Sequence, residues 1–198
     1  MADKANFYFI AIIPPEKIGE EITAFKKDFA DRFFSKEALK VIPHITLKAP
    51  FKLPEQGHTK LIQWFRRLFV PTGIFPIELK DFGAFHNKYS PVVYVHPVGS
   101  VALYSLQKEI IRSFKNNWPA QKILDPEQKF MPHITIAYRD LQPDQFTKAW
   151  QEYKRKNYAA VFRADSFHLM QHNGKMWNII DSYLLQTSLD VNNNAGYI

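Results

Sequence analysis

Two histidines of this chain sit in the same setting. Pro43-His44-Ile45-Thr46 and Pro132-His133-Ile134-Thr135 share one tetrapeptide, and each continues with an aliphatic residue, Leu47 and Ile136. Two imidazoles in equivalent settings are what a general acid and general base pair requires, because one must take a proton while the other gives one. Two threonine hydroxyls, each two residues beyond its histidine, can hold one anion between them.

Strand periodicity sharpens the picture. Residues i and i+2 of a strand point the same way. His44, Thr46 and Lys48 are therefore expected on one face of the first motif strand, and His133, Thr135, Ala137 and Arg139 on one face of the second. Ile45, Leu47, Ile134 and Ile136 point oppositely, into a core. Two such strands facing across a cleft build a phosphate pocket. The expected catalytic pair is His44 and His133, and the expected phosphate ligands are Thr46, Thr135, Lys48 and Arg139. The chemistry needs neither a metal nor a cofactor. Phe51 and Tyr138 lie on the motif strands and are candidates for stacking on a base. Phe85, one of 17 phenylalanines, is assigned to the core. His168 and His172 flank a strand-to-turn region where a four-residue spacing does not converge on a metal, and His58, His86 and His96 have no partners in the sequence.

The elements that carry these strands are legible from periodicity and turn signals. Phe7–Ile13 reads as a buried strand stopped by Pro14 and Pro15. Residues 16–34 read as a helix with Ile18, Ile22, Phe25, Phe29 and Phe33 on one face. A motif strand (44–53), a helix (56–69) and a strand (74–85) follow. The order then repeats: a strand (91–98), a helix capped by Ser100 and running to about Phe114, a motif strand (133–138), a helix (144–153) and a strand (158–170). Asn173-Gly174 signals a hairpin into a last strand, 176–185. The fold expected is α+β, a duplicated two-lobed domain (1–189) with antiparallel sheets and flanking helices around a central cleft. Its repeat units span about 6–85 and 91–170.

The two copies, PHITLKAPF and MPHITIAYRD, resemble the paired His-x-Thr-x motifs of the two-histidine (2H) phosphoesterase superfamily, within it most the bacterial 2′-5′ RNA ligase-like branch. The resemblance covers about Asn6 to Leu185, including the opening strand FIAIIPP and the closing hairpin. It implies a bilobal fold and metal-independent hydrolysis or transfer at 2′,3′-cyclic or 2′-5′ phosphodiesters. It carries catalytic roles onto His44 and His133 and phosphate binding onto Thr46 and Thr135. Many relatives have a basic residue three positions after the second threonine; here Tyr138 stands there and Arg139 follows.

Composition fits this reading and excludes others. The chain has 198 residues, 46% hydrophobic, with a formal charge of +7, which favours phosphate-bearing partners. It has no cysteine, so disulfide frameworks and thiolate metal sites are excluded and a cytoplasmic setting fits. Met1–Asn6 shows no signal-peptide pattern, no apolar run is long enough to span a bilayer, and residues 190–198 read as a disordered tail. The basic run Lys154-Arg155-Lys156 reads as a solvated helix end. The expected partners are an RNA end, an oligonucleotide or a small cyclic phosphate, with no membrane, acted on by a monomer. Two other functions compete: a nucleotide-binding module without turnover, and a metal-dependent hydrolase. The first sits poorly with intact histidines, and the second with motif faces that carry no carboxylate.

Overall fold

The computed structural model describes residues 5–186, so the expected tail at 190–198 lies outside the described residues. The opening apolar run forms β1 (Ala5–Ile12). Proline lacks a backbone donor, so the pair at 14–15 ends the strand and leads into α1 (Glu16–Phe33), which closes at Phe34 with a left-handed φ of 59°. A 3₁₀ turn (Glu37–Lys40) leads to the first motif strand, β2 (Ile45–Pro54). Then come α2 (His58–Arg66), β3 (Phe75–Phe85) and β4 (Val92–Pro97). The helix α3 (Val101–Asn117) starts at the expected cap, where Ser100 Oγ accepts from the Leu103 amide at 3.2 Å. A short α4 (Asp125–Gln128), the second motif strand β5 (Ile134–Ala137) and α5 (Pro143–Tyr153) follow.

The expected strand 158–170 proves to be two. It divides at Asp165 into β6 (Ala159–Ala164) and β7 (Ser166–His172), which belong to different sheets; β8 (Trp177–Leu184) closes the hairpin. The mark is slight: the apolar phase of Phe162 and Ala164 resumes one step out at Phe167 and Leu169, after the polar pair Asp165-Ser166. The 3₁₀ turn and α4 were not expected either, since four residues are too few for a helical period to show.

Each half contributes to both lobes. One sheet has the order β2-β1-β7-β8 and the other β5-β4-β3-β6, with every pairing antiparallel. Each motif strand is an edge strand beside the first strand of its own half. The third strand crosses over: β3 joins β4, and β7 joins β1. The helices cross as well. α1 packs on β5 and α5, whereas α3 packs on β2. The duplicated, two-lobed α+β architecture is thus present with its halves interlocked. No helix among the described residues is long and apolar enough to cross a membrane.

Burial explains why β1 reads as an uninterrupted apolar run. Tyr8, Ile10 and Ile12 face the main core, while Phe9 and Ala11 face a smaller cluster with Met170. A strand covered on both faces loses its alternation. The α1 stripe buries Ile18, Ile22, Phe29 and Phe33, and the Phe29 ring lies 4.6 Å from that of Tyr153 on α5. Each such side chain contributes roughly 1.5–3 kcal/mol on burial. Phe29 is fully buried, so Phe29→Ala is expected to cost about 3–5 kcal/mol. Urea unfolding should show this as a lower midpoint at unchanged slope; a loss below about 1 kcal/mol would mean that α1 docks through its other contacts.

Candidate active site

Both motif strands carry the same irregularity at the same place. In β2, Thr46 pairs with Ala11 and Lys48 with Ile10, so one extra residue stands opposite a single step of β1. In β5, Thr135 pairs with Tyr94 and Ala137 with Val93, again with one extra residue. These are β-bulges directly after each threonine. A bulge breaks two-residue alternation, so the residue two beyond the threonine no longer shares its face. Ala137 is fully buried and Lys48 only 1% exposed.

Lys48 is therefore corrected: the structure places it in the core, not among phosphate ligands. Its ammonium lies 2.8 Å from Glu127 Oε1 and 4.7 Å from the centre of the Phe114 ring. Glu127 also accepts from the Ala49 amide at 2.9 Å and the Leu124 amide at 2.7 Å. This ion pair ties the first motif strand to the segment that leads into the second motif. Phe51 is corrected too. A second register shift between Lys48 and Phe51 restores the original phase, so Phe51 points inward with Ile45 and Leu47, 6% exposed, with its ring 4.7 Å from Phe114.

The remaining expected residues come together. His44, Thr46, His133, Thr135, Tyr138 and Arg139 all line one cleft of about 450 Å³. Arg139 arrives there after the strand has ended, through a left-handed φ of 57°. The turn is held by Asp140, whose carboxylate accepts from Ser35 Oγ at 2.9 Å and from the Lys36 amide at 2.6 Å.

The two imidazoles are anchored identically. His44 Nδ1 lies 2.8 Å from the Ile42 carbonyl, and His133 Nδ1 lies 2.8 Å from the Met131 carbonyl. A carbonyl can only accept, so each Nδ1 carries the proton, and in the neutral ring Nε2 holds the free lone pair. Each ring also rests on an aromatic: His44 lies 4.9 Å from Phe9, and His133 5.1 Å from Phe85. Burial pulls His44 down to about 4, with Lys26 and His133 pushing the same way and the Ile42 carbonyl opposing. Burial lowers His133 as well, against its hydrogen bond to Met131.

Several cleft residues were missed, among them an aromatic pair and two lysines. Phe85, assigned to the core, stands beside His133, and Trp177 packs on Phe9 at 4.6 Å. Lys175 comes from the hairpin turn. Lys26 sits on the apolar face of α1, 3% exposed, donating to the Val41 carbonyl at 2.7 Å. Desolvation pulls its pKa down to about 8. Its signal was available: a lysine four residues after Ile22 and three before Phe29 interrupts an apolar stripe. Among the described residues, no group of three or more His, Asp or Glu is gathered where it could hold a metal ion.

Residues 14–176 match the family model for the 2′-5′ RNA ligase superfamily. The chain belongs to that superfamily. As a member of the 2′-5′ RNA ligase superfamily it is 29% identical over 179 residues to a Geobacillus kaustophilus protein named as a candidate phosphoesterase, an alignment that covers 90% of this chain and 95% of the relative. Its fold is similar to TT0787 of Thermus thermophilus, with a TM-score of 0.68 at 17% identity over 92% of this chain and 99% of the other. It is equally similar to Escherichia coli LigT in complex with 3′-AMP: TM-score 0.68, 16% identity, covering 93% and 100% of the two chains.

The Lys48–Glu127 pair gives this superfamily member a measurable signature. Removing one partner of a buried pair leaves an uncompensated charge and costs roughly 3–5 kcal/mol. Glu127→Gln is expected to lose about that much, and Lys48→Met added to it should restore at least half. Urea denaturation checks both; an additive double variant would show that the two groups do not depend on each other.

Proposed function

We propose that this chain is a metal-independent phosphodiesterase, or reversible ligase, acting on 2′,3′-cyclic or 2′-5′ phosphodiester bonds of RNA ends or nucleotides. The observation that carries the reading is the matched pair of imidazoles in one cleft, each held through Nδ1 by the carbonyl two residues earlier, with a threonine beside each. The superfamily match supports it, and so does the likeness to LigT, which has been crystallised with 3′-AMP, with ATP and with phosphate.

The geometry supports a balanced step. Thr46 and Thr135 donate to the non-bridging oxygens, and Arg139 offsets their charge. Neutral Nε2 of one histidine takes a proton from water as the water oxygen bonds to phosphorus. The bond from phosphorus to one ribose oxygen breaks, and the protonated second histidine gives that oxygen its proton. Ligation is the same displacement with a 5′-hydroxyl in place of water as the attacking oxygen. His44 feels the added repulsion of Lys26, which suits it to the base, leaving the acid role to His133.

Acid–base groups contribute ~10²–10⁴-fold. His44→Ala and His133→Ala should each lose about that much kcat on a 2′,3′-cyclic nucleotide while keeping the wild-type melting curve. Near wild-type turnover in either variant would remove that residue from the chemistry.

The pH dependence follows from the lowered imidazoles. The active form holds one proton on the pair, so the kcat/KM profile is a bell between the two values of the free protein. Both lie below the ordinary 6.5, and His44 is at about 4. Maximal kcat/KM is therefore expected on the acid side of 6.5, falling as pH rises. Bound phosphate favours the imidazolium, so the kcat bell should sit at higher pH than that of kcat/KM. Rates should be unchanged in EDTA; loss of activity restored by a divalent ion would favour a metal-dependent reaction instead.

A further inference from the structure

A second cavity, of about 540 Å³, opens beside the motif residues. It shares Thr46, Pro50, Phe85 and His133 with the first, so the two meet at the proposed phosphate site. Its volume falls within the roughly 300–1,000 Å³ typical of small-ligand pockets.

The two cavities differ in chemistry. The first carries four cations, Lys26, Lys40, Lys175 and Arg139, against the single carboxylate of Glu37. Lys26 is buried and donates to the Val41 carbonyl, so an anion nearby would relieve its desolvation. The second is walled by Pro50, Phe85, Phe130 and Met131. Its charges are Lys129 against Asp125 and Glu127, and Glu127 is already paired with Lys48. No surplus cation faces it. Gln107 is engaged with the Glu127 carbonyl at 3.0 Å, which leaves Asn87, Asp125 and Lys129 as the polar groups outside the motifs able to meet a ligand.

A phosphodiester carries two ester substituents, and two cavities that meet at the motif residues offer a separate place to each. We infer that the apolar cavity bounded by Phe130, Met131 and Asn87 receives an uncharged terminal nucleoside of the substrate, while the basic cavity takes the phosphate-bearing remainder. This rests on the phosphodiesterase reading and narrows it: the preferred substrate joins two nucleosides and ends in one without a phosphate. Pro50, Phe85 and Phe130 offer apolar faces to the base, and Asp125 disfavours a terminal phosphate.

Binding tests this apart from turnover. Met131 bounds only the apolar cavity and Trp177 only the basic one. With ¹³C-methyl methionine and ¹⁵N-indole labels, adenosine should shift the Met131 methyl and leave the Trp177 indole in place. Adenosine 3′,5′-bisphosphate should shift Trp177. Adenosine that moves Trp177 but not Met131, or neither at millimolar concentration, overturns the inference. Asn87→Trp, an exposed change at the cavity wall, should weaken the Met131 response to adenosine at least fivefold. Asp125→Lys should bring adenosine 5′-monophosphate into the cavity at least fivefold more tightly, and an unchanged affinity overturns the charge argument. In turnover, Asn87→Trp should lower the ratio of kcat/KM for 2′-5′-linked adenylyl-adenosine over adenosine 2′,3′-cyclic phosphate at least tenfold. If no diester is turned over while Met131 still answers adenosine, the phosphodiesterase reading fails and the nucleoside pocket stands. Turnover without that answer removes the pocket alone.

Discussion

The extra residue after each motif threonine governs how the rest of the molecule is arranged. Up to that point each motif strand alternates, presenting histidine and threonine to the cleft and aliphatic side chains to the core. The bulge then reverses the phase. In one half this turns a small residue, Ala137, inward at no electrostatic cost. In the other it turns Lys48 inward, and a buried ammonium must find a partner. Glu127 supplies it and also satisfies the amides of Ala49 and Leu124. The entry to the second motif is thereby fastened to the exit of the first. Duplication of the bulge gives the site its symmetry, and divergence of the residue it buries gives the two halves their tie.

Interlocking of the halves has a second consequence. Because α1 covers the opposite sheet, its polar interruption, Lys26, comes to lie beside the cleft and close enough to His44 to repel its proton. Desolvation is the main cause of the shift at both imidazoles, and it is a product of packing: Phe9 beneath His44, and Phe85 and Tyr94 around His133. An apolar floor and a basic rim together favour neutral imidazoles in the free protein and invite an anion. Such perturbed groups gathered in a cleft are the physical mark of a functional site.

The cleft also has two unlike ends. One gathers cations from α1, the 3₁₀ turn, the segment after β5 and the last hairpin; the other is built from aromatic and aliphatic side chains around α4. Apart from Pro50 on β2, the side chains that distinguish the two ends lie off the motif strands. The residues proposed to act on the phosphate come from the repeated motifs, and many of those that would sort its substituents, among them Lys40, Met131, Arg139 and Lys175, come from turns and connections. Loops on a rigid scaffold commonly carry specificity in this way.

The sequence by itself determined the repeated order of elements, the α+β class and the two His-Ile-Thr faces, because hydrophobic period, proline stops and the Ser100 cap are local physics. It also carried the resemblance to the family to which the chain belongs. The phase of each motif strand past its threonine was decided only by tertiary structure. A bulge depends on how the neighbouring strand pairs, and nothing in Lys48 announces it. The same holds for Phe85, whose apolar type fits a core as well as a cleft wall, while the split at Asp165 left only a one-residue slip of apolar phase. Lys26 was legible as an anomaly in an apolar stripe, but its place beside His44 was not. That depended on α1 crossing to the far lobe, a choice made by packing between distant segments rather than by any pattern along the chain.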